Sequence, residues 1–475
     1  MRNMLGRAVV SVLAPLALAT SAQAATYIVT ANGQSLEKSL ASRISAAGGT
    51  VVAQLPQIGV LIVEADAASF SSTASNLPGV RSAVKDVVMQ FDLGQEIPLQ
   101  GDFANPPNSG DNDAFFDLQW GHAAIDAAGA WNAGYRGKGA TVAVLDSGVF
   151  CNHIDLQANL NKGKSASFVP GEGYCNTTNS LSSHGTHVMG TIAAADDGVG
   201  AIGVAPEAEV FAVKVLSART GSGSFAGIIQ GIVYAADNGA DVINMSLGVG
   251  GGLPVGGREV AELINATKRA VQYANKRNAT VIASAGNDGR DLDKDSHAYV
   301  CDDTNGDGVD DTCGYYNLRS FPGQLPGVIT VSALGPLAWL KDPANANLDV
   351  RASYSNYGKS AIHFSAPGGN FDYPGNELCS RRLSDGRVIT NACWVFDMVF
   401  STTTAPGSYS WNAGTSMAAP HVAGVAALIV GKKGGTASPA EVERILRASS
   451  EDLGKPGKDE THGMGRVNAA RAIRY

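Results

Sequence analysis

A series of short apolar runs, separated by stretches with helical periodicity, constrains the fold of this chain more than any other feature. The runs are rich in β-branched residues, and continuous apolar segments of this kind are typical of parallel strands buried on both faces. Strands that alternate with helices predict an α/β fold, a doubly wound parallel sheet with helices on both faces. We expect helices at residues 225–238 and 259–276, and strands at residues 141–145, 210–215, 242–245, 280–283 and 328–331.

The first residues indicate export. Arg2 and Arg7 precede an apolar stretch at residues 8–19, and a small-x-small cleavage site ends at Ala24. This is the pattern of a secretory signal peptide, which we assign to residues 1–24. The apolar stretch is too short for a membrane anchor, since spanning a bilayer takes about 20 residues. We therefore expect a secreted protein without a stable membrane anchor, with the periplasm as the alternative location.

Residues 25–92 are predicted to form a small α+β domain that precedes the large sheet. Their strand–helix–strand–strand–helix–strand order is typical of a ferredoxin-like unit. A unit of this size is expected to lean on a partner surface. The strands and helices are expected at residues 26–30, 36–46, 51–53, 59–63, 67–77 and 84–90.

The segment that follows, residues 93–116, is rich in Gly, Pro, Asn and Asp and is predicted to be a linker. Exposed linkers of this composition are preferred sites of proteolytic cleavage. The remainder, residues 117–475, is expected to form one domain that contains the sheet.

Composition excludes several classes of protein. The 475 residues carry 35 Lys and Arg against 43 Asp and Glu, a net charge of −8, so the chain lacks the positive surplus that nucleic-acid binding needs. A hydrophobic content of 44% excludes a mainly disordered chain. The 6 cysteines fit an oxidising compartment, and local pairing is one of several possible disulfide connectivities, favoured over a zinc site. The local couples are Cys151 with Cys175, Cys301 with Cys313, and Cys379 with Cys393.

Polar residues with catalytic potential stand where the predicted strands end or helices begin. In a doubly wound sheet the ligand crevice lies beyond the carboxyl ends of the strands, which is where Asp146 and Asn287 fall. His184 and Ser416 open apolar stretches with helical character. A serine hydroxyl becomes a nucleophile when a base removes its proton, and the base needs a carboxylate to orient it. We also expect Pro420 to lie in the first turn of its helix, where proline is tolerated.

The sequence motifs around these residues resemble those of the subtilisin-like serine peptidases, the subtilases. The motifs are Val-Leu-Asp146-Ser-Gly, His184-Gly-Thr-His-Val-Met-Gly-Thr, Ser-Ala-Gly-Asn287 and Gly-Thr-Ser416-Met-Ala-Ala-Pro. Their Asp, His, Ser order is that of subtilisin. The resemblance implies that Asp146 is the orienting carboxylate, His184 the base, Ser416 the nucleophile and Asn287 an oxyanion donor, together with the backbone N–H of Ser416.

The resemblance further implies a monomeric secreted endopeptidase that acts on proteins and peptides. Residues 25–92 would be its propeptide, an intramolecular inhibitor and folding aid that the enzyme removes by cutting itself in the linker. An extended substrate would pair with the cleft as an added strand. The residues implied to line that cleft are Gly221, Ser222 and Gly223 on one wall, Ser246, Leu247 and Gly248 on the opposite wall, Ser284, Ala285 and Gly286 at the first specificity pocket, and Phe225 and Ile228 at a more distant apolar pocket.

Calcium is the expected structural ion, and no organic cofactor is expected. Residues 303–311 follow the opening of an EF-hand loop, although Gly314 stands where an EF-hand has its bidentate glutamate. The alternative is a solvated acidic loop. The candidate ligands there are Asp303, Asn305, Asp307, Val309 and Asp311. A second candidate site, implied by the family resemblance, uses Asp155, Asp197 and the backbone around Val199 and Ala201.

Other enzyme classes fit less well. The chain has no G-x-S-x-G motif, as an α/β-hydrolase would require, and residues 184–187 read HGTH, without the glutamate of a zinc peptidase. A catalytically silent binding protein with the same fold remains an alternative. So does a processing protease that prefers basic residues, because acidic side chains follow Asn287. They are Asp288, Asp291, Asp293 and Asp295.

Overall fold

The computed structural model describes residues 24–67, 69–94, 96–99, 113–294, 297–302, 312–383 and 386–475. The predicted signal segment lies outside this part of the chain except for Ala24. None of the described helices combines the length and apolar character that crossing a bilayer requires.

The amino-terminal unit is a four-stranded antiparallel sheet in the order β2-β3-β1-β4, with two helices connecting the strands. This is the ferredoxin-like arrangement that the element order predicts. Buried apolar side chains such as Leu40, Ile44 and Phe70 hold the helices against the sheet. The elements are β1 (Ala25–Ala31), α1 (Leu40–Ala46), β2 (Thr50–Leu55), β3 (Val60–Ala65), α2 (Phe70–Ser75) and β4 (Val80–Lys85).

Two short strands follow this unit. We predicted a single strand at residues 84–90, but the chain leaves the sheet after β4 and forms β5 (Val88–Gln90), which pairs with a distant strand. A second short strand, β6 (Glu96–Pro98), lies inside the segment predicted to be a linker. Residues 113–116 are not linker either, since Phe115 is buried and its N–H donates to the carbonyl of Gly200 at 2.7 Å.

The rest of the chain forms the large domain. Short 3-10 helices lie at Phe116–Leu118, Trp339–Lys341 and Cys393–Asp397. The other elements are α3 (Trp120–Ala124), α4 (Ala127–Asn132), β7 (Thr141–Asp146), β8 (Ala166–Ser167), α5 (His184–Ala193), β9 (Glu209–Lys214), β10 (Ser222–Ser224), α6 (Phe225–Asp237), β11 (Val242–Met245), β12 (Leu253–Pro254), α7 (Arg258–Lys276), β13 (Thr280–Ser284), β14 (His297–Asp302), β15 (Thr312–Arg319), β16 (Val328–Gly335), β17 (Val350–Arg351), β18 (Phe364–Pro367), β19 (Leu378–Arg382), β20 (Val388–Ala392), β21 (Val399–Thr402), β22 (Tyr409–Asn412), α8 (Thr415–Lys432), α9 (Pro439–Ser449) and α10 (Ala469–Ala472).

The central sheet has the order β17-β16-β13-β11-β7-β9-β8, with β18 also pairing with β16. Its strands run parallel except for the short β17. Successive side chains of a strand point to opposite faces of the sheet, so they enter different cores. Val142 packs with α5 and α8, whereas Ala143 packs with α6 and α7. The predicted doubly wound α/β fold is therefore confirmed.

The amino-terminal unit shares a core with one face of the large domain. Ile28, Ile58 and Val60 belong to the same buried cluster as the apolar side chains of α6 and α7. Arg269 on α7 adds polar contacts, because its guanidinium donates to the carbonyls of Gly33 at 2.7 Å, Ala31 at 3.1 Å and Ile58 at 3.2 Å. The small unit thus leans on a partner surface, as its size predicts.

Candidate active site

The sheet topology brings the predicted catalytic residues to one edge. Asp146 is the last residue of β7, and Asn287 follows the end of β13. His184 is the first residue of α5, and Ser416 is the second residue of α8. Because β7 and β13 both run parallel to β11, their carboxyl ends lie at the same side of the sheet.

Asp146 and His184 form a buried pair. The Nδ1 atom of His184 lies 2.9 Å from Oδ1 and 3.0 Å from Oδ2 of Asp146, and both side chains are about 1% exposed. The backbone N–H of Ser147 also donates to Oδ1, at 2.6 Å. The carboxylate therefore fixes the tautomer and orientation of the imidazole and leaves Nε2 free to act as a base.

The charges around His184 favour its protonated form. Burial by itself lowers the pKa of His184, but the carboxylate of Asp146, followed by those of Asp92 and Glu96, raises that pKa above its ordinary value. The neighbouring His187 does not add positive charge, since burial lowers its pKa to about 3. The base of this site thus becomes neutral at a higher pH than an unperturbed histidine does.

The hydroxyl of Ser416 does not hydrogen-bond with His184 in this structure. Its Oγ donates to the carbonyl of Ser246 at 3.2 Å, and Nε2 of His184 is buried with no hydrogen-bond partner among the described residues. Catalytic hydrogen bonds are often long or unmade before substrate is in position. The structure therefore brings Asp146 and His184 together and leaves the contact between Ser416 and His184 unmade.

Pro420 lies in the second turn of α8, not in the first turn as we expected. A proline there lacks the N–H that would donate to the carbonyl of Ser416, four residues earlier. The hydroxyl of Ser246 donates to that carbonyl instead, at 2.7 Å. The proline is thus compatible with the helix interior, because a side chain from the facing strand end satisfies the exposed carbonyl.

Both ends of the Asn287 carboxamide have hydrogen-bond partners: Thr415 at its oxygen and Asp92 at its nitrogen. Its Oδ1 accepts hydrogen bonds from the backbone N–H of Thr415 at 2.9 Å and from the Thr415 hydroxyl at 2.8 Å. These contacts fix which end of the carboxamide faces the cleft. The Nδ2 donor points to Asp92 and donates to its Oδ2 at 2.9 Å. An amide held in this way can donate to a developing oxyanion once Asp92 moves away.

Residues 88–94 and 96–99 of the chain itself lie in the cleft, on the two sides of this site. On one side β5 pairs antiparallel with β10, the strand that contains the predicted residues Ser222 and Gly223. The N–H of Phe91 then faces the carbonyl of Gly221 at 3.3 Å, and the N–H of Asp92 faces that of Gly248 at 3.4 Å. This is strand addition between the two predicted walls.

On the other side of the site, β6 pairs antiparallel with β22, and the N–H of Leu99 donates to the carbonyl of Tyr409 at 2.8 Å. Gly94 lies between the two paired stretches. It lines one cavity together with His184 and a second cavity together with Asn287. The peptide segment around Gly94 is therefore the part of the chain that passes the catalytic residues.

Most of the remaining predicted cleft residues are buried around this segment. Phe225 and Ile228 belong to the same apolar cluster as Phe91. Ser284 donates to the carbonyl of Leu247 at 3.1 Å, which ties the pocket-lining strand end to the opposite wall. Ala285 accepts hydrogen bonds through its carbonyl from Ser320 and Asn356, and the N–H of Gly286 donates to the Thr415 hydroxyl.

The acidic side chains after Asn287 are engaged in internal contacts. Asp288 accepts from the N–H of Gly251 at 2.7 Å, Asp291 pairs with Lys294 at 2.8 Å, and Asp293 accepts from the N–H of Ser360 at 3.0 Å. Asp295 lies outside the described residues. These contacts do not favour the processing-protease alternative, which needs acidic side chains directed at a basic substrate residue.

Two of the predicted calcium ligands, Asp155 and Asp197, make hydrogen bonds within the protein. Asp155 accepts from the hydroxyl of Tyr409 at 2.9 Å and from the N–H of Ala201 at 2.9 Å, and burial raises the pKa of Asp155 to about 8. Asp197 accepts from the N–H of Val199. No three acidic, histidine or cysteine side chains of the described ranges could hold a metal. Calcium binding by Asp155, Asp197 and the backbone around Val199 and Ala201 therefore stays a prediction.

The other predicted calcium ligands, Asp303, Asn305, Asp307, Val309 and Asp311, lie outside the described residues. The strands that flank them form an antiparallel ladder in which Cys301 stands opposite Cys313. Two of the expected local disulfide bonds are present, Cys151–Cys175 and Cys379–Cys393.

Sequence reasoning missed several residues that support the site. Lys214, at the end of β9, is about 1% exposed and donates to the carbonyl of Ser147 at 2.7 Å, next to Asp146. It also pairs with Glu172 at 3.0 Å. A lysine in an apolar strand is the signal that could have marked it. Thr415 stood inside a recognised motif without an assigned role, and the contact with Asn287 now provides one.

The chain matches known proteins over most of its length. The family model described as the subtilase family matches residues 137–465. Subtilisin Savinase of Lederbergia lenta is 34% identical over 359 residues, which cover 75% of this chain and 99% of that protein. The M-protease of Shouchella clausii is 35% identical over 359 residues, covering 75% of this chain and 70% of its own length.

Among solved structures, the epidermin leader peptide processing serine protease of Staphylococcus aureus matches with a TM-score of 0.71 at 21% identity, covering 95% of this chain and 98% of that one. A lanthipeptide protease matches with a TM-score of 0.58 at 28% identity, covering 78% of this chain and 99% of that one. At 21% identity the first likeness concerns the fold alone.

Proposed function

The chain belongs to the subtilase family and is a subtilisin-like serine endopeptidase, and from that premise we propose that it is made as an exported, self-processing precursor. The observation that carries the proposal is that residues 88–90 and 96–98 pair with the large domain on the two sides of the catalytic residues. The family membership and the buried Asp146–His184 pair support catalysis rather than silent binding. In this proposal residues 25–92 act as the intramolecular inhibitor.

The proposed reaction is acyl transfer through a covalent intermediate on Ser416. Ser416 turns its hydroxyl from Ser246 toward His184, whose Nε2 takes the proton while Oγ attacks the peptide carbonyl. The oxyanion accepts hydrogen bonds from the backbone N–H of Ser416 and from Nδ2 of Asn287. His184 then gives the proton to the leaving amine, and water hydrolyses the acyl-enzyme on Ser416. Asp146 stabilises the imidazolium throughout and keeps its orientation.

The first test is the position of self-cleavage. Purified full-length chain is incubated, and the new amino terminus of the first product is sequenced. Because the segment around Gly94 passes the catalytic residues, we expect the first cut within residues 92–96. A first cut within residues 100–112, with residues 92–96 still intact, would contradict this assignment.

Self-cleavage should depend on the charge of Asp92. The base must be neutral to take a proton, so the rate is low below the pKa of His184 and rises with pH through it. Asp92 is one of the carboxylates that raise that pKa. Asp92→Asn should therefore shift the midpoint of the pH–rate profile of precursor conversion to lower pH.

The control for this shift is Asp66→Asn, which removes an exposed carboxylate of the amino-terminal unit. Its midpoint should equal that of the parent chain. A midpoint that stays the same or rises in the Asp92→Asn precursor would exclude Asp92 as a source of the effect.

We further propose that the loop at residues 303–311 binds calcium, as subtilases generally bind structural calcium. The support is the sequence of alternating acidic residues and the β14–β15 ladder that closes its base. Chelation should lower the melting temperature of the mature enzyme by about 5 °C, and calcium but not magnesium should restore it. Asp307→Asn should abolish this dependence, whereas Asp342→Asn, an exposed control, should preserve it. Equal melting temperatures with and without chelator would contradict calcium binding by this loop.

A further inference from the structure

Glu96 and Ile97 are held on opposite sides of the strand β6. Neighbouring residues of a strand point to opposite faces, so one strand can present two side chains to two different sites. In the ladder with β22, Glu96 stands opposite Asn412 and Ile97 opposite Trp411. Both residues follow Gly94, so they belong to the part of the chain that departs with the new amino terminus after cleavage.

The carboxylate of Glu96 is bound by two hydroxyl groups of the large domain. Ser183 donates from Oγ to Oε2 of Glu96, and Thr403 donates from Oγ1 to Oε1. Both donors are nearly buried, at 5% and 8% exposure. The two oxygens of one carboxylate thus have separate donors, supplied by residues more than two hundred positions apart in the sequence.

The hydroxyl of Ser183 binds Glu96 rather than the backbone of its own helix. It is the N-cap residue of the ten-residue helix α5, but its side chain makes no capping hydrogen bond. A serine at this position usually caps the helix. Here the hydroxyl is directed at Glu96, and the positive end of the helix dipole adds an attraction for a negative side chain.

Ile97 faces an apolar cavity of about 540 Å³ that continues from the catalytic centre, since Asn287 and Gly94 also line it. Its apolar walls are Tyr354, Phe371, Trp394 and Met398. Trp394 belongs to the 3-10 helix Cys393–Asp397, which the Cys379–Cys393 disulfide fastens to the hairpin of β19 and β20. The cavity is therefore a built pocket that an aliphatic side chain can enter.

We propose that these two sites select substrates by the residues that follow the cleaved bond, favouring an acidic residue next to an aliphatic one. The inference rests on the proposed function and adds a substrate class to it. Ser183 and Thr403 read the acidic side chain, and the pocket around Trp394 reads the aliphatic side chain. The chain's own Glu96-Ile97 pair is the first substrate that meets both requirements.

The test uses mature enzyme prepared from the full-length chain and blocked peptides with the sequence of residues 88–99. One peptide has the parent sequence, one has Gln in place of Glu96, and one has Gly in place of Ile97. Hydrogen bonds to a charged group are stronger than neutral ones. We expect kcat/KM to fall about tenfold for each replacement.

Paired enzyme variants separate the two sites. In the double variant Ser183→Ala/Thr403→Val, the kcat/KM values of the peptides with Glu and with Gln at position 96 should become about equal. The peptide with Ile at position 97 should still be cleaved faster than the peptide with Gly there. In Trp394→Ala the reverse should hold. Ser180→Ala, a serine in the same loop that instead accepts from the N–H of Thr177, is the matched control and should keep both preferences. General damage to the fold would lower all rates without exchanging the preferences in this way.

Each outcome decides the proposal. Loss of the matching preference in each variant supports it. Equal cleavage of the three peptides by the parent enzyme overturns this inference and leaves the proposed function standing. Cleavage of none of the peptides overturns the proposed function, and this inference with it.

Discussion

Ser416→Ala is expected to leave the full-length chain uncut and to reduce peptide hydrolysis to a negligible rate. The substitution removes the only atom that can form the acyl bond in the proposed mechanism, while Ala at the second position of α8 is compatible with the helix. Mass spectrometry of the purified precursor over time gives the first readout. Labelling with a fluorophosphonate probe, which reacts with an activated serine, gives the second.

The matched control is Ser450→Ala, a serine at the carboxyl end of α9 whose hydroxyl donates to the carbonyl of Leu446. This variant should convert and label like the parent chain. Conversion of the Ser416→Ala precursor at the parent rate, in a preparation free of other proteases, would refute self-processing by this site.

Asn287→Ala is expected to lower kcat by about 10²–10³, with a much smaller change in KM. The carboxamide is held by Thr415 and directs Nδ2 into the cleft, so its loss removes a donor that acts mainly when negative charge develops on the carbonyl oxygen. Steady-state kinetics of the mature enzyme on one peptide gives both constants. A fall in kcat that is much larger than the change in KM identifies an interaction made in the transition state.

An exposed asparagine, Asn152, provides the control, and Asn152→Ala should leave kcat within a factor of about two. A melting temperature close to that of the parent enzyme would show that Asn287→Ala still folds. If kcat of Asn287→Ala falls less than tenfold, Asn287 is not an oxyanion donor.

The sequence was sufficient for the parts of the site that depend on regular elements. Asp146 could be placed because a buried strand ends there, and a parallel sheet brings such ends together. The assignment of Ser416 followed from a helix start within a specific motif. In both cases the local pattern and the global fold point to the same position.

The parts that sequence analysis missed depend on contacts between distant segments. The strand β6 has only 3 residues, in a segment whose composition predicts a linker, and its partner β22 lies more than three hundred positions later. No local periodicity signals such a strand. Pro420 was misplaced for a related reason, since Ser246, which compensates for its missing N–H, comes from another part of the sheet.

The core that the amino-terminal unit shares with helices α6 and α7 would separate two events in the proposed maturation. Hydrolysis of one bond near Gly94 removes a covalent link but leaves the apolar side chains of both pieces buried against each other, with the contacts of Arg269 intact. In the proposed maturation, the severed fragment is therefore expected to remain bound and to cover the cleft. We then expect release of the fragment, rather than cleavage of the bond, to set the time at which another polypeptide first reaches Ser416.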